Sequence, residues 1–222
     1  MRIRPRDAVK GRTKYVLILI VLLNMLYPIT GTGDFLPFIV YTILYAGLFL
    51  AGIMITSDSR PHITWSIMIT GIWFVMAVLY GLDPASYWKT QATYFMLLIF
   101  HATILTVMLR YIFSAEAVTA DVLYASAAVY FLLSFLFVPL YGMLETAIPG
   151  SFVDNTLGTP VQWQQFVYYS LITLSTAGYG DILPASMLAR MLAGLEVTIG
   201  VLYIAILVAR LVSLYDVQRR GK

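Results

Sequence analysis

Residues Thr173 to Asp181 read Thr-Leu-Ser-Thr-Ala-Gly-Tyr-Gly-Asp, and the reading of this stretch decides the fold. Gly178 and Gly180 stand two residues apart with Tyr179 between them. Glycine enters positive φ at little steric cost. The spacing therefore suits a backbone that alternates ordinary and left-handed conformations and so aims consecutive carbonyls at one point. The plainer reading is a turn, because glycine-rich stretches are common chain punctuation. Context separates the two readings. The stretch grows out of a short amphipathic segment, about Pro160–Ser175, and leads into a long apolar one, Pro184–Ser213. A simple surface turn needs neither.

Composition sets the same scene. The chain has 222 residues, 60% of them hydrophobic and only 11% charged. Ordinary soluble domains are about 25% charged, so this balance describes a polytopic membrane protein. The net charge of +3 comes from basic residues that border apolar runs. That placement sets topology and gives no sign of a nucleic-acid partner. With no cysteine there is no disulfide framework and no thiolate metal site. No nucleophile–base pair or metal cluster suggests an enzyme. No internal repeat of the kind that builds many transporters is evident.

A spanning helix needs about 20 mostly apolar residues. Six segments qualify or nearly so: Tyr15–Thr30, Phe35–Thr56, Ile63–Leu82, Gln91–Phe113, Val122–Glu145 and Pro184–Ser213. The first follows Arg2, Arg4, Arg6, Lys10, Arg12 and Lys14, which mimics a signal peptide. It ends at Pro28-Ile29-Thr30-Gly31 without a small-residue cleavage site, so a retained helix is expected. Between the last two spans lies the shorter helix at Pro160–Ser175, with Thr159 as its expected cap and Pro160 at its first position. It is too short to cross a bilayer and reads as re-entrant. Pro139 is expected to kink the fifth span. The loop Ile148–Thr159, with Pro149, Gly150, Asn155 and Gly158, reads as the longest flexible stretch.

Six spans place both termini on one side, which the positive-inside rule makes cytoplasmic. The N-terminal cluster, Arg60, Arg110, Arg210, Arg219, Arg220 and Lys222 all fall on that side, and only Lys89 and Arg190 fall outside. The expected division is a basic N-terminus at 1–14, a four-helix membrane domain at 15–113, a second membrane domain at 120–213 and a cytoplasmic tail at 214–222.

The Thr176-Ala177-Gly178-Tyr179-Gly180 core differs in one residue from the Thr-Val-Gly-Tyr-Gly filter of potassium channels. The chain therefore resembles the tetrameric potassium-channel superfamily, strongly over about Trp163–Val212 and more weakly from Ala120. The resemblance implies an all-α membrane protein with six transmembrane helices, a re-entrant pore helix and a selectivity-filter loop. It implies a homotetramer in the cell membrane, since four loops make one carbonyl cage. The permeant ion would be K+, held by the filter carbonyls of Thr176 to Gly180, with no further cofactor. Thr176 would add a hydroxyl ring at the inner mouth. Tyr179 would brace the filter from behind, and Asp181 would bond just outside it. Ala177 is the departure. Its carbonyl still serves, but its small side chain packs less behind the filter.

The same resemblance assigns supporting roles. Trp163, Tyr168 and Tyr169 would cuff the filter, although Trp163 fits an interfacial aromatic as well. Gly200 stands where the family often has a hinge, and close helix packing is its alternative. Val201, Ile204, Val208 and Val212 share one helical face. They would line the inner cavity, with Val208 and Val212 as gate candidates, or else pack on other helices. Arg190 and Glu196 are ionisable groups in an apolar helix. Arg190 is expected near the outer filter, paired with Asp181 or with the outer end of the short helix. Glu196 is expected to hydrogen-bond behind the filter, within its own chain or to a neighbouring subunit. Both read as structural clasps.

The front helices carry less. Voltage sensing needs several arginines in the field, and the fourth span has Arg110 alone. No arginine ladder means no steep voltage gating. His101 reads as a packed neutral histidine, with proton sensing as the alternative. The basic N-terminus suits anionic lipid headgroups or simply fixes topology. Nothing in the chain names a gating stimulus or a separate regulatory subunit. Two other readings stay open: a weakly selective cation channel, and a non-conducting membrane subunit with a pore fold.

Overall fold

The computed structural model describes residues 11–32, 40, 43–49, 51, 64, 68, 71–72, 75, 86–156, 158 and 160–220. Most of the second and third expected spans lie outside the described residues, as do Thr159 and His62. Helix α1 (Thr13–Leu26) ends in a 3-10 turn (Tyr27–Thr32), and is followed by α2 (Tyr87–Ser114) and α3 (Ala120–Ala147). Then come strand β1 (Phe152–Asp154), helix α4 (Trp163–Leu174), strand β2 (Ile182–Pro184) and helix α5 (Met187–Arg220).

Length sorts these helices. With 28 residues each, α2 and α3 reach about 42 Å, and the 34 residues of α5 reach about 51 Å. Among the described residues, three segments, Tyr87–Ser114, Ala120–Ala147 and Met187–Tyr215, are long and apolar enough to cross a membrane. Helix α4, at 12 residues or about 18 Å, is not. The expected fourth, fifth and sixth spans are thus present with shifted ends. Helix α3 runs unbroken through Pro139. Helix α5 starts at Met187, because Pro184 is taken into β2. It continues past Ser213 because residues 214–220 hold no helix breaker before Gly221.

The chain divides into two compact units, and the division does not follow the sequence. One unit comprises Met1–Ile67, Thr103–Leu132 and Val201–Lys222; the other comprises Met68–Ala102 and Leu133–Gly200. The first buries Val16, Ile20 and Leu23 of α1, Ile104, Met108 and Ile112 of α2, and Ala125, Ala128, Val129 and Leu132 of α3. Each set recurs every three or four residues, one stripe per helix. Asp121 ties helix starts together here: its carboxylate accepts from the Gly11 N–H and from Thr13 Oγ1 at 2.8 Å. At the C-terminal end of α2, Arg210 Nη2 donates to the carbonyls of Phe113 (3.1 Å) and Ala115 (2.8 Å). A cation at a helix C-terminus satisfies orphan carbonyls and opposes the helix dipole.

The second unit is built on an aromatic cluster. The Tyr141 ring lies 5.1 Å from Phe152, 5.2 Å from Tyr169 and 6.0 Å from Phe166, and Phe152 lies 5.0 Å from Phe166. These edge-to-face and tilted pairs each add about 0.5–1.5 kcal/mol beyond the area they bury. On α3, Gly142 lets the Tyr94 ring of α2 settle where a Cβ would come within 2.5 Å of it. His101 is fully buried, bonded by Nδ1 to the Leu97 carbonyl at 2.8 Å and stacked on Phe135 at 5.6 Å.

Within the expected flexible loop at Ile148–Thr159 lies a short strand. Phe152–Asp154 pairs antiparallel with Ile182–Pro184, in the register Phe152↔Pro184, Val153↔Leu183 and Asp154↔Ile182. Asn155 N–H to the Asp181 carbonyl (2.8 Å) and Ala185 N–H to that of Ser151 (2.8 Å) extend the ribbon at both ends. Three residues a side are too few to signal a strand in the sequence. Long-range pairing makes this ribbon, and it needs α4 and the Thr173–Asp181 stretch folded between its two strands.

Candidate functional site

Helix α4 begins three residues later than Pro160 because Gln162, not Thr159, is its N-cap residue. The Gln165 side-chain oxygen accepts from the Gln162 N–H at 2.7 Å, and its amide nitrogen donates to Asp154. One side chain thus caps the helix and ties it to β1. Asp154, buried and also bonded to the Thr156 N–H at 2.8 Å, was not singled out by the sequence reading. A carboxylate in a polar loop has no distinguishing neighbours in sequence.

Beyond Leu174 the backbone leaves the helix in a defined way. Positive φ occurs at Thr176 (61°), Gly178 (47°) and Gly180 (82°), every second residue of the stretch. Positive φ was expected at the glycines. Its occurrence at Thr176 was not, since the left-handed region costs an L-residue about 1–2 kcal/mol. The Ile172 carbonyl accepts from both Ala177 N–H (2.9 Å) and Gly178 N–H (3.2 Å). No peptide bond here is cis. In a trans peptide N–H and C=O point oppositely, so the carbonyls of Thr176 and Ala177 face away from Ile172. All five residues from Thr176 to Gly180 are exposed on the single chain, and Tyr179 is 75% exposed.

The supporting residues separate into several groups. Tyr168 donates its hydroxyl to Asp181 Oδ2 at 2.7 Å, which joins α4 to the end of the stretch. Asp181 Oδ1 is enclosed and has no hydrogen-bond partner among the described residues. Tyr169, one residue on, faces the Tyr141 cluster instead. Trp163 is the half-buried first residue of α4. Arg190 does not pair with Asp181: it is exposed, and its Nε donates to the Pro184 carbonyl at 3.1 Å. Glu145 supports the ribbon by accepting from the N–H groups of Gly150 (2.8 Å) and Phe152 (3.0 Å).

Gly200 lies in an unbroken stretch of α5 and faces the end of α4. A Cβ there would stand 2.3 Å from the Leu174 carbonyl oxygen and 2.9 Å from its side chain. Only glycine allows that approach. Glu196, one turn earlier, is fully buried between Ser170 and Tyr141 and bonds to both within the same chain. Past Gly200, Val201, Ile204, Val208 and Val212 are each about half exposed, a continuous apolar stripe on α5.

These elements are an apolar helix, a short helix followed by a stretch that alternates into the left-handed region, and a second apolar helix. The chain matches the family model described as "Ion channel" over residues 96–216, from within α2 to the last turns of α5. That is more than half of its length, and the chain belongs to this ion-channel family, a family of membrane proteins. No curated protein and no solved structure matches the chain.

Proposed function

We infer that this chain is one subunit of a homotetrameric, potassium-selective channel that passes K+ down its gradient across the cell membrane. The observation that carries the reading is the backbone alternation at Thr176, Gly178 and Gly180, directly after α4. A potassium ion gives up water on entering a pore, and rings of carbonyls replace it. A single chain offers one carbonyl at each level, so four copies are required. Exposure of the whole stretch and of the apolar α5 face accords with surfaces that neighbouring copies, lipid and the pore would cover. The C-terminal end of α4 leads into the stretch, and a helix C-terminus carries partial negative charge that favours a cation.

In this reading Thr176 to Gly180 coordinate the ion. Tyr179 packs against an adjacent copy. Tyr168, Asp181, Trp163, Tyr169, Arg190 and Glu196 hold the loop in place. Val201, Ile204, Val208 and Val212 line the inner pathway, which narrows at Val208 and Val212 to a gate that closes by dewetting. Six spans, cytoplasmic termini and weak voltage dependence complete the proposal. Ala177 favours one second reading, a weakly selective cation channel, because its methyl fills less space behind the carbonyls.

The test is the reversal potential of purified protein in planar bilayers under a potassium/sodium bi-ionic gradient. Reversal near the potassium potential is expected. Current that reverses near zero means a weakly selective pore, which Ala177→Val should sharpen. Absence of current even after Val208 and Val212 are replaced by alanine would point to a non-conducting subunit.

A further inference from the structure

Glu196 sits in a chain of hydrogen bonds whose protons can be counted. Its Oε2 meets the Tyr141 hydroxyl of α3, and its Oε1 meets the Ser170 hydroxyl of α4. Ser170 Oγ also lies 2.7 Å from the backbone carbonyl oxygen of Ser134 on α3. A carbonyl oxygen has no proton to give, so Ser170 must donate to Ser134. A serine hydroxyl has one proton. Once that proton is engaged, Ser170 faces Glu196 as an acceptor, and the contact with Oε1 needs a proton from the carboxyl group. The Tyr141 proton cannot serve, because it is held at the other oxygen.

We propose that Glu196 is a neutral carboxylic acid that accepts from Tyr141 and donates to Ser170, so that Tyr141, Glu196, Ser170 and the Ser134 carbonyl form one relay clamping α4 between α3 and α5. In this form three protons serve three contacts. The ionised form has two protons for the same three contacts. It also leaves a charge in the unit's interior, where burial without a partner is costly. No basic side chain bonds to Glu196 among the described residues. Its titratable neighbours are the phenols Tyr141 of α3 and Tyr169 of α4. Ser170, Tyr141 and Glu196 all belong to the unit that holds Thr176 to Gly180, and Gly200 stands one helical turn beyond Glu196. Glu196 is thus a positioning residue for the pore helix, whichever cation passes.

Glutamine reproduces the neutral acid, since its amide nitrogen donates to Ser170 while its oxygen accepts from Tyr141. Leucine has similar size and bonds to neither. The experiment uses the full chain, purified in lipid at neutral pH. Infrared difference spectra between wild type and Glu196→Gln should show the carbonyl band of a protonated carboxylic acid in wild type only. The melting temperature of Glu196→Gln should stay close to that of wild type, while that of Glu196→Leu should fall clearly below it. The absence of a protonated-acid band lost on substitution overturns the proposal. So does a glutamine variant that fails to fold or melts as low as the leucine variant. Neither readout depends on ion selectivity, so the relay can fail without the channel reading failing, and the reverse.

Discussion

Gly200 shows how one side chain, or its lack, positions an element. With a Cβ 2.3 Å from the Leu174 carbonyl, Gly200→Ala must push α5 off the end of α4. Overpacking of this kind costs about 1–3 kcal/mol, so the melting temperature should drop. Gly194, two turns earlier, has nothing within 4 Å of its Cβ position. Gly194→Ala should therefore hold or raise the melting point, since alanine favours a helix by about 1 kcal/mol over glycine. Equal losses in both variants would mean that Gly200 is not a packing site. The sequence marks Gly200 as a glycine in a long apolar helix and leaves hinge and packing as equals. Its neighbour Leu174 is 26 positions away, and only folding brings its carbonyl there. Thr176 is similar: sequence reasoning assigned the left-handed positions to glycines, and the alternation extends one step further, to a threonine.

At the scale of elements, the two-stranded ribbon and α4 depend on each other. Asp154 of β1 accepts from Gln165 Nε2 and from Thr156 N–H, and Gln165 in turn caps α4. Asp154→Ala leaves both donors unmatched. Both bonds are part-buried, so water can meet the freed donors. The loss should fall below the cost of a fully buried unpaired group, about 1–3 kcal/mol. The ribbon should then open, and hydrogen exchange at Asn155 and Ala185 should accelerate while α3 stays protected. Unchanged exchange at those amides would show that β1 and β2 hold without the carboxylate. Helices α2 and α3 were legible within a few residues, and α5 was legible except for its C-terminal end, seven residues beyond Ser213. A long apolar run in a membrane closes its backbone hydrogen bonds within itself as a helix. Helix α4 was legible by type but not by start, since its cap is a glutamine contact and not the Thr-Pro signal. The ribbon was not legible, because its strands pair across 27 intervening residues and carry no alternating pattern of useful length.

At the scale of the whole molecule, the proposed pore of four copies comes with two predictions. Native mass measurement in mild detergent should find a tetramer, and a strictly monomeric protein would remove the basis for a central pathway. Voltage dependence should be shallow. The field acts with about 2.3 kcal/mol per charge per 100 mV, and Arg110 is the single arginine of α2. A steep conductance–voltage relation in symmetric potassium would place a sensor where none was read. Sequence alone determined the class: an apolar, cysteine-free chain with long spanning runs and a Thr-Ala-Gly-Tyr-Gly stretch between a short and a long helix. These features are local in the chain, because hydropathy and glycine conformational freedom act residue by residue. Tertiary structure alone decided which partners the polar groups take: Tyr168 with Asp181, Arg190 with the Pro184 carbonyl, and Glu196 with Ser170 and Tyr141. A buried polar group must be satisfied by whatever donor or acceptor the packing places beside it, and that neighbour is set by how the helices meet.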